Sequence, residues 1–595
     1  MDFQKFYQGK AFEVYQYLGA HPSGKGFVFR TFAPRAEAIS VIGEWNDWEG
    51  QPMQKVYDGN FWECVIPEAK SGMMYKYRIH GADDRVLDHC DPYGFMMEKR
   101  PGNASIIWDI TQFQFKDKKW LAGRTDGKQG PLNIYEMHFG SWRRKSEDVD
   151  DWYGYDEMAD LLIPYLKQQG YNYIEIMPLA EHPCDESWGY QNTGFFSPTS
   201  RYGTPTELMD FIDTCHQAEI GVIMDFVPVH FAVDDYALWH YDGTALYAYP
   251  SSDVGVSEWG SCNFMHSRPD VRSFLQSSAN YWLEMYHFDG LRMDAVSNLI
   301  YWQGDESRGE NADAIAFLKN MNAGLKKAHP TAILAAEDST TYSGVTKSIR
   351  EGGLGFDYKW DMGWMHDTLE LFQVAPEYRT RDYHKLTFSM QYFYNENYLL
   401  PFSHDEGVHG KATIAQKMNG DYEQKFPQAR TLYVYMMTHP GKKLNFMGNE
   451  FAQLREWDES REQDWMLLDY PLHDGFRQFM ADLNQIYLKY PALWKEDYNA
   501  HGFKWLDCQS DSRCIYAFER IAATEKLLVI LNLSDKKQAY YKLTIPDGSK
   551  LKLLIDTDTE CYGGAIKNPQ QILTLKNGMA ELLLSPFSAR IYKII

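Results

Sequence analysis

The chain has 595 residues, with 82 acidic against 59 basic side chains and a formal net charge of −23. That excess of negative charge argues against nucleic acid and anionic membrane surfaces as partners, because both select positive charge. Its 44% hydrophobic content is ample for large cores and excludes a disordered chain, while 15% aromatics suit either large cores or stacking on sugar rings.

The opening Met1-Asp2-Phe3-Gln4-Lys5-Phe6-Tyr7-Gln8 lacks a charged start followed by an apolar stretch, so no signal peptide is expected. No run approaches the ~18 apolar residues of a membrane span. The eight cysteines are scattered, with no C-x-x-C pair and no disulfide-like density. Cys215 is expected as a buried thiol on the apolar face of a helix. These features predict a soluble, reduced, cytoplasmic protein, and a monomer is expected.

Residues 1–115 read as a β-sandwich. The segments 26–32 and 38–43 alternate apolar and polar, and turn-rich sequence follows at 44–50. Trp45 and Trp48 have two open readings: a platform for sugar rings, or a loop packed on its own domain.

From 116 to 495 the rhythm changes to apolar strands alternating with longer helical stretches. Eight strands are predicted at 133–139, 171–179, 221–228, 290–296, 332–338, 356–362, 398–404 and 442–451. Strand then helix, eight times over, predicts a (β/α)₈ barrel. One helix shows the grammar. Thr204-Pro205-Thr206-Glu207 supplies an N-cap, a first-turn proline and a capping-box glutamate. Leu208, Phe211, Ile212 and Cys215 follow at helical spacing, and Gly221 opens the next strand. Residues 496–595 return to strand-like runs such as Leu527-Leu528-Val529-Ile530-Leu531, and predict a C-terminal antiparallel sandwich on the barrel's flank.

Acidic residues close four of the eight strands: Asp225, Asp294, Glu337 and Asp405. The C-terminal ends of barrel strands are where such a fold gathers its catalytic groups, and paired carboxylates there can cut and remake a glycosidic bond. Arg292 and Asp294 are two apart and share one strand face, so the guanidinium favours the ionised carboxylate that a nucleophile needs. A buried structural ion pair is the competing reading. Leu334-Ala335-Ala336 gives Glu337 apolar company, which raises a carboxyl pKa as a general acid requires; otherwise Glu337 is a surface acid with Asp338 as solvated neighbour. Asp225 with His230, and His404 with Asp405, form two His–Asp pairs suited to holding sugar hydroxyls. No H-x-x-x-H or clustered Cys/His spacing supports zinc, and neither metal nor cofactor is expected.

The segments 225–230, 290–294, 336–339 and 403–406 resemble the four signature regions of the α-amylase superfamily of glycoside hydrolases. The stretches 187–191, 202–205, 353–367 and 446–451 are more closely similar to its branching-enzyme family. The segments 17–21 and 32–34 resemble that family's N-terminal carbohydrate-binding module, so the resemblance covers nearly the whole chain. It implies a glycosyltransferase that moves pieces of an α-1,4-glucan onto 6-hydroxyls of glycogen or amylose chains, with retention of configuration. By matching position, Asp294 would be the nucleophile, Glu337 the acid/base and Asp405 the transition-state stabiliser. Arg292, Asp225, His230 and His404 would line the subsite of the attacked glucose, and Tyr190 would stack on its ring. Region three reads Glu337-Asp338-Ser339 where Glu-Glu-Ser is the pattern. The chain also opens almost directly at its binding module, so the further N-terminal domain that some bacterial relatives carry is not expected. Hydrolases of the superfamily (amylases, debranching and trehalose-releasing enzymes) share the three acids. A catalytically inactive glucan-binding protein would have lost one, and none is lost.

Overall fold

The computed structural model describes residues 1–24, 26–546 and 548–595, and the chain divides into two compact units. One comprises residues 1–124, 138–161 and 175–356, the other residues 125–137, 162–174 and 357–595. Eight strands drawn from both close into a barrel: Asn133–Met137, Tyr173–Ile176, Gly221–Phe226, Gly290–Met293, Ile333–Ala336, Tyr358–Trp360, Tyr398–Phe402 and Lys442–Phe446. Each lies within a predicted strand, and the barrel is the one expected.

The predicted strands run too long at their C-terminal ends. The fourth stops at Met293 because Ala295 takes a left-handed backbone, with φ of 46°, and starts the helix Val296–Ile300. Hydrogen bonding nevertheless continues past the strand ends. The Asp294 N–H donates to the Phe226 carbonyl at 3.0 Å, and the Glu337 N–H to the Met293 carbonyl at 3.0 Å. Asp294 and Glu337 are therefore fixed in register although they lie beyond the strands proper, whereas Asp225 lies within its strand.

In the first unit, residues 19–106 form two sheets. One orders strands 19–23, 26–32, 61–66 and 54–56; the other runs 51–52, 38–43, 74–80, 105–106 and 96–97, with 86–89 also paired to 74–80. Phe29 from the first sheet meets Tyr75 from the second edge-to-face at 5.0 Å, which is the packing of a sandwich core. Trp45 packs on Phe29 at 5.3 Å and covers Gly43 so closely that a Cβ there would lie 2.5 Å from its ring. Of the two readings for this tryptophan, the loop packed on its own domain describes it. Buried Thr31 Oγ1 and Tyr241 Oη, 2.7 Å apart, tie the sandwich to the segment after the third barrel strand.

The helix Pro205–Gln217 has the predicted capping box, with Thr204 accepting the Glu207 N–H and Glu207 accepting the Thr204 N–H at 2.6 Å. Its apolar face, Leu208, Phe211, Ile212 and Cys215, is buried. No glycine ends it; Glu219 supplies the left-handed turn at φ of 62°. His216 in its last turn bridges two buried carboxylates, 2.9 Å from Asp117 and 2.9 Å from Asp289. Asp289 also accepts the Val222 N–H at 2.7 Å and the Trp120 indole N–H at 2.8 Å. Burial opposes the imidazolium, but the two carboxylates outweigh it and push the His216 pKa up to about 9. A folded-state pKa above the unfolded value adds stability that is complete below the unfolded pKa of about 6.5 and is lost as pH climbs through the folded one. We expect this site to remove roughly 3 kcal/mol of unfolding free energy between about pH 6 and about pH 10. Urea titrations at both pH values check it, and His216→Gln should lose that share of the slope.

In the second unit, the C-terminal strands order 503–510, 515–522, 525–532, 588–594, 550–556 and 572–574, with a separate pair, 538–544 and 579–584. Leu528 and Ile530 point into a core with Tyr541, Leu543, Leu582 and Leu584. Leu527, Val529 and Leu531 alternate with them and pack instead among Leu432, Phe476 and Phe479, from the helices Tyr422–Thr438 and Pro471–Lys489. The unbroken apolar run is therefore a strand buried on both faces. No described helix is long and apolar enough to cross a membrane.

Candidate active site

The ends of the third, fourth and fifth strands carry one charge cluster in the first unit. Asp225 lies opposite Arg292 across the ladder, and Arg292 opposite Ala335, so register places the arginine between the two neighbouring strands. Arg292 Nη1 donates to both Asp225 oxygens, at 2.7 and 2.8 Å, and to Asp294 Oδ1 at 2.8 Å. Its Nη2 lies 3.8 Å from Glu337 Oε2. Burial works against the guanidinium charge, but Asp225, Tyr190, Asp294 and Glu337 together hold its pKa above the ordinary arginine value. One permanent cation thus faces three carboxylates.

Exposure separates those carboxylates. The Asp225 side chain is 2% exposed, against 14% for Asp294 and 16% for Glu337. Asp225 also accepts the Tyr190 hydroxyl at 2.6 Å, so its oxygens are committed to holding Arg292 and Tyr190. Asp294 and Glu337 remain accessible. Glu337 does not sit in purely apolar company as its sequence context suggests. Its strand is buried, but Oε2 accepts the Ala295 N–H at 2.8 Å and faces Arg292. The left-handed turn at Ala295 presents that N–H, a contact that local apolarity cannot reveal. Asp338, read as a solvated neighbour, is 1% exposed and accepts from the Thr340 backbone and hydroxyl.

Tyr190 stands on the loop after the second strand, where Gly189 turns at φ of 91° and any Cβ would lie 2.5 Å from the Pro178 carbonyl. The Arg292 guanidinium lies 5.9 Å from the Tyr190 ring centroid. His230 belongs to the same unit but does not pair with Asp225, whose oxygens are already taken. Its ring lies instead 5.2 Å from Trp259. Burial pulls the His230 pKa down to about 4, so the imidazole is neutral at physiological pH and can both donate and accept. Trp259 is 46% exposed, and its carbonyl accepts from Gln191, the residue after Tyr190. Sequence reading missed this aromatic, for which the sequence Ser257-Glu258-Trp259-Gly260-Ser261 gives little signal beyond a tryptophan in a small-residue turn.

His404 and Asp405 stand in the second unit, just past the seventh strand. His404 Nδ1 is 2.6 Å from Glu136 Oε1, and its backbone N–H donates to Glu136 Oε2 at 2.9 Å. His404 Nε2 lies 3.4 Å from Asp405 Oδ1, so the expected pair forms, and Asp405 is 43% exposed. Glu136, 1% exposed on the first strand, fixes the imidazole and was not anticipated. The available signal was a lone acid in the buried run Asn133-Ile134-Tyr135-Glu136-Met137.

The family descriptions "Carbohydrate-binding module 48 (Isoamylase N-terminal domain)", "Alpha amylase, catalytic domain" and "Alpha amylase, C-terminal all-beta domain" match residues 17–94, residues 158–244 with 255–538, and residues 505–595. The 1,4-alpha-glucan branching enzyme GlgB of Bacillus caldolyticus is 43% identical over 94% of this chain and 85% of its own length. The enzyme of that name from Bacillus subtilis (strain 168) is 41% identical over 97% and 94%. Among solved structures, a pullulanase from Anoxybacillus sp. LM18-11 complexed with maltotetraose superposes with a TM-score of 0.76 at 16% identity, covering 99% of this chain and 89% of that one. At that identity the likeness concerns the fold. The chain belongs to the 1,4-α-glucan branching enzyme (GlgB) family, within the α-amylase superfamily.

Proposed function

We infer that the protein cleaves an α-1,4 linkage in a glucan and transfers the freed chain to a 6-hydroxyl, creating an α-1,6 branch in glycogen. The observation that carries the chemistry is the Arg292 guanidinium facing Asp225, Asp294 and Glu337 on three neighbouring strand ends. The acceptor, a sugar hydroxyl instead of water, follows from the relatives.

In this reading Asp294 is the nucleophile. Arg292 donates to its carboxylate, which attacks the anomeric carbon to form a covalent glucosyl ester while Glu337 gives a proton to the departing O4 oxygen. Glu337, now ionised, takes the proton from the incoming 6-hydroxyl. That oxygen bonds to the anomeric carbon, and Asp294 leaves as carboxylate. Two inversions retain configuration. Asp405, 43% exposed and braced by His404, binds sugar hydroxyls and stabilises the transition state in this reading, with Glu136 holding His404 in place. Tyr190 stacks on the attacked ring, and the neutral imidazole of His230 serves its hydroxyls. Asp225 positions Arg292 and Tyr190. We assign the domains to residues 1–115, 116–495 and 496–595, and propose a cytoplasmic monomer acting without metal or cofactor.

With amylose as substrate, iodine colour should fall while reducing ends rise little. A matching rise in reducing ends would show hydrolysis, and no change in either would indicate a protein that only binds glucan.

A further inference from the structure

On the reading that makes Asp405 the transition-state stabiliser, we propose that Lys417 is its positioning residue, acting through the backbone of residues 404–412. Asp405 lies past the last ladder pair of its strand, Phe402 with Asn445, in the short helical turn His404–Gly407. Its direction therefore depends on what ties the backbone of that turn.

Three successive carbonyls of the turn accept from donors outside it. The Asp405 carbonyl takes Lys411 Nζ at 2.9 Å, the Glu406 carbonyl takes Lys417 Nζ, and the Gly407 carbonyl takes the Trp457 N–H at 3.1 Å. These are the groups that the end of a helix leaves without partners of its own. Lys411 is exposed, so solvent can replace its ammonium. Lys417 is different. Its side chain, at the end of the short helix Ile414–Lys417, is 5% exposed, and a buried carbonyl that loses it has no water to turn to. Its ammonium also takes the Ala412 carbonyl at 2.7 Å, and so links the end of the segment back to Glu406.

The span between those two carbonyls is strained. His409 and Ala412 have left-handed backbones, with φ of 56° and 66°, and neither is glycine. Such residues persist only where their surroundings over-determine them, and they concentrate at active sites. Glu456 contributes by accepting the Gly410 and Ala412 N–H groups at 3.0 and 2.7 Å, and Lys417 contributes the link from Ala412 to Glu406. A segment held in this way presents Asp405 already oriented, which is what stabilising a transition state requires.

Lys417 also has a charge to balance. The Glu406 carboxylate, 7% exposed, lies 3.9 Å from Lys417 Nζ, 3.6 Å from Lys411 Nζ and 4.0 Å from His366 Nε2. A lysine present only to neutralise Glu406 would be structural, whereas one that holds the two carbonyls positions Asp405.

Lys417→Met should lower kcat for branching roughly 10- to 100-fold. KM should stay within about twofold, because the lost interaction serves the transition state and not the ground state. Melting temperature should also fall, since Glu406 loses a neutralising charge. Adding Glu406→Gln removes that burden. In the double variant melting temperature should recover while kcat stays low, because the two carbonyls still lack their donor. Hydrogen exchange of the peptide 403–412 reads the segment without any reaction, and it should run about tenfold faster in both variants. A double variant whose kcat returns with its melting temperature would overturn the positioning role, and so would unchanged exchange at 403–412. A wild-type protein that leaves amylose unaltered, while Lys417→Met still loosens 403–412, would instead overturn the catalytic reading of Asp405.

Discussion

Asp294→Ala should lower kcat for branching on the order of 10⁴-fold or more, with the barrel still folded. The loss follows from chemistry. Without a carboxylate at this position no glucosyl ester forms, and the two-step route that retains configuration is closed. The intact fold follows from the contacts. Asp225 still holds Arg292 through both oxygens, so the cation is not left buried without a partner. The same geometry makes Asp225→Asn a different variant. It removes the best partner of a buried guanidinium and should lower melting temperature as well as activity. Added azide separates nucleophile from acid/base. In Asp294→Ala a small anion can occupy the vacated position and attack the anomeric carbon while Glu337 protonates the leaving oxygen, giving a glycosyl azide of inverted configuration. A loss below about tenfold, or an azide product of retained configuration, would place the nucleophile elsewhere.

The barrel could be read from sequence because parallel strands covered on both faces are short unbroken apolar runs. An acid at the end of such a run stands out, as Asp294 does after Gly290-Leu291-Arg292-Met293. The pairing of Arg292 with Asp294 was also legible, since residues two apart share a strand face. What stayed hidden depends on register between strands. That Asp225 lies opposite Arg292, and so spends its oxygens there instead of on His230, follows only once the third and fourth strands are aligned. Glu136 belongs to the same class, because it meets His404 from a strand 268 residues away in sequence. The left-handed turn at Ala295, which aims an N–H at Glu337, involves a residue type that gives no warning of it. The sugar-hydroxyl acceptor was legible only through resemblance, because the carboxylates that make and break a glucosyl ester serve water and a hydroxyl alike.

Asp497→Ala should destabilise the C-terminal half of the molecule by about 3–5 kcal/mol. Asp497 is fully buried between two cations that are buried as well: Lys442 Nζ at 2.9 Å and Arg520 Nη2 at 2.7 Å. Lys442 also donates to the Gly130 and Trp494 carbonyls, and Arg520 to the Thr438 carbonyl at 2.7 Å, so this one carboxylate joins the eighth barrel strand to the C-terminal sheet. Burial alone would raise the Asp497 pKa, but Lys442 and Arg520 outweigh it and hold it below the ordinary aspartate value. A depressed carboxyl pKa gives stability that is complete above the unfolded value of about 3.9 and lost as pH falls through the folded one, so wild type should show this contribution fully at neutral pH. In the variant the two cations respond differently. Burial already pulls the Lys442 pKa down despite Asp497, so the amine can shed its proton. Arginine cannot, and Arg520 stays charged in a dry site. Adding Arg520→Met to Asp497→Ala should therefore recover more stability than adding Lys442→Met. Urea unfolding of the three variants at neutral pH measures the order. Equal recovery by both second substitutions would mean that the cost is a cavity and not an orphaned charge.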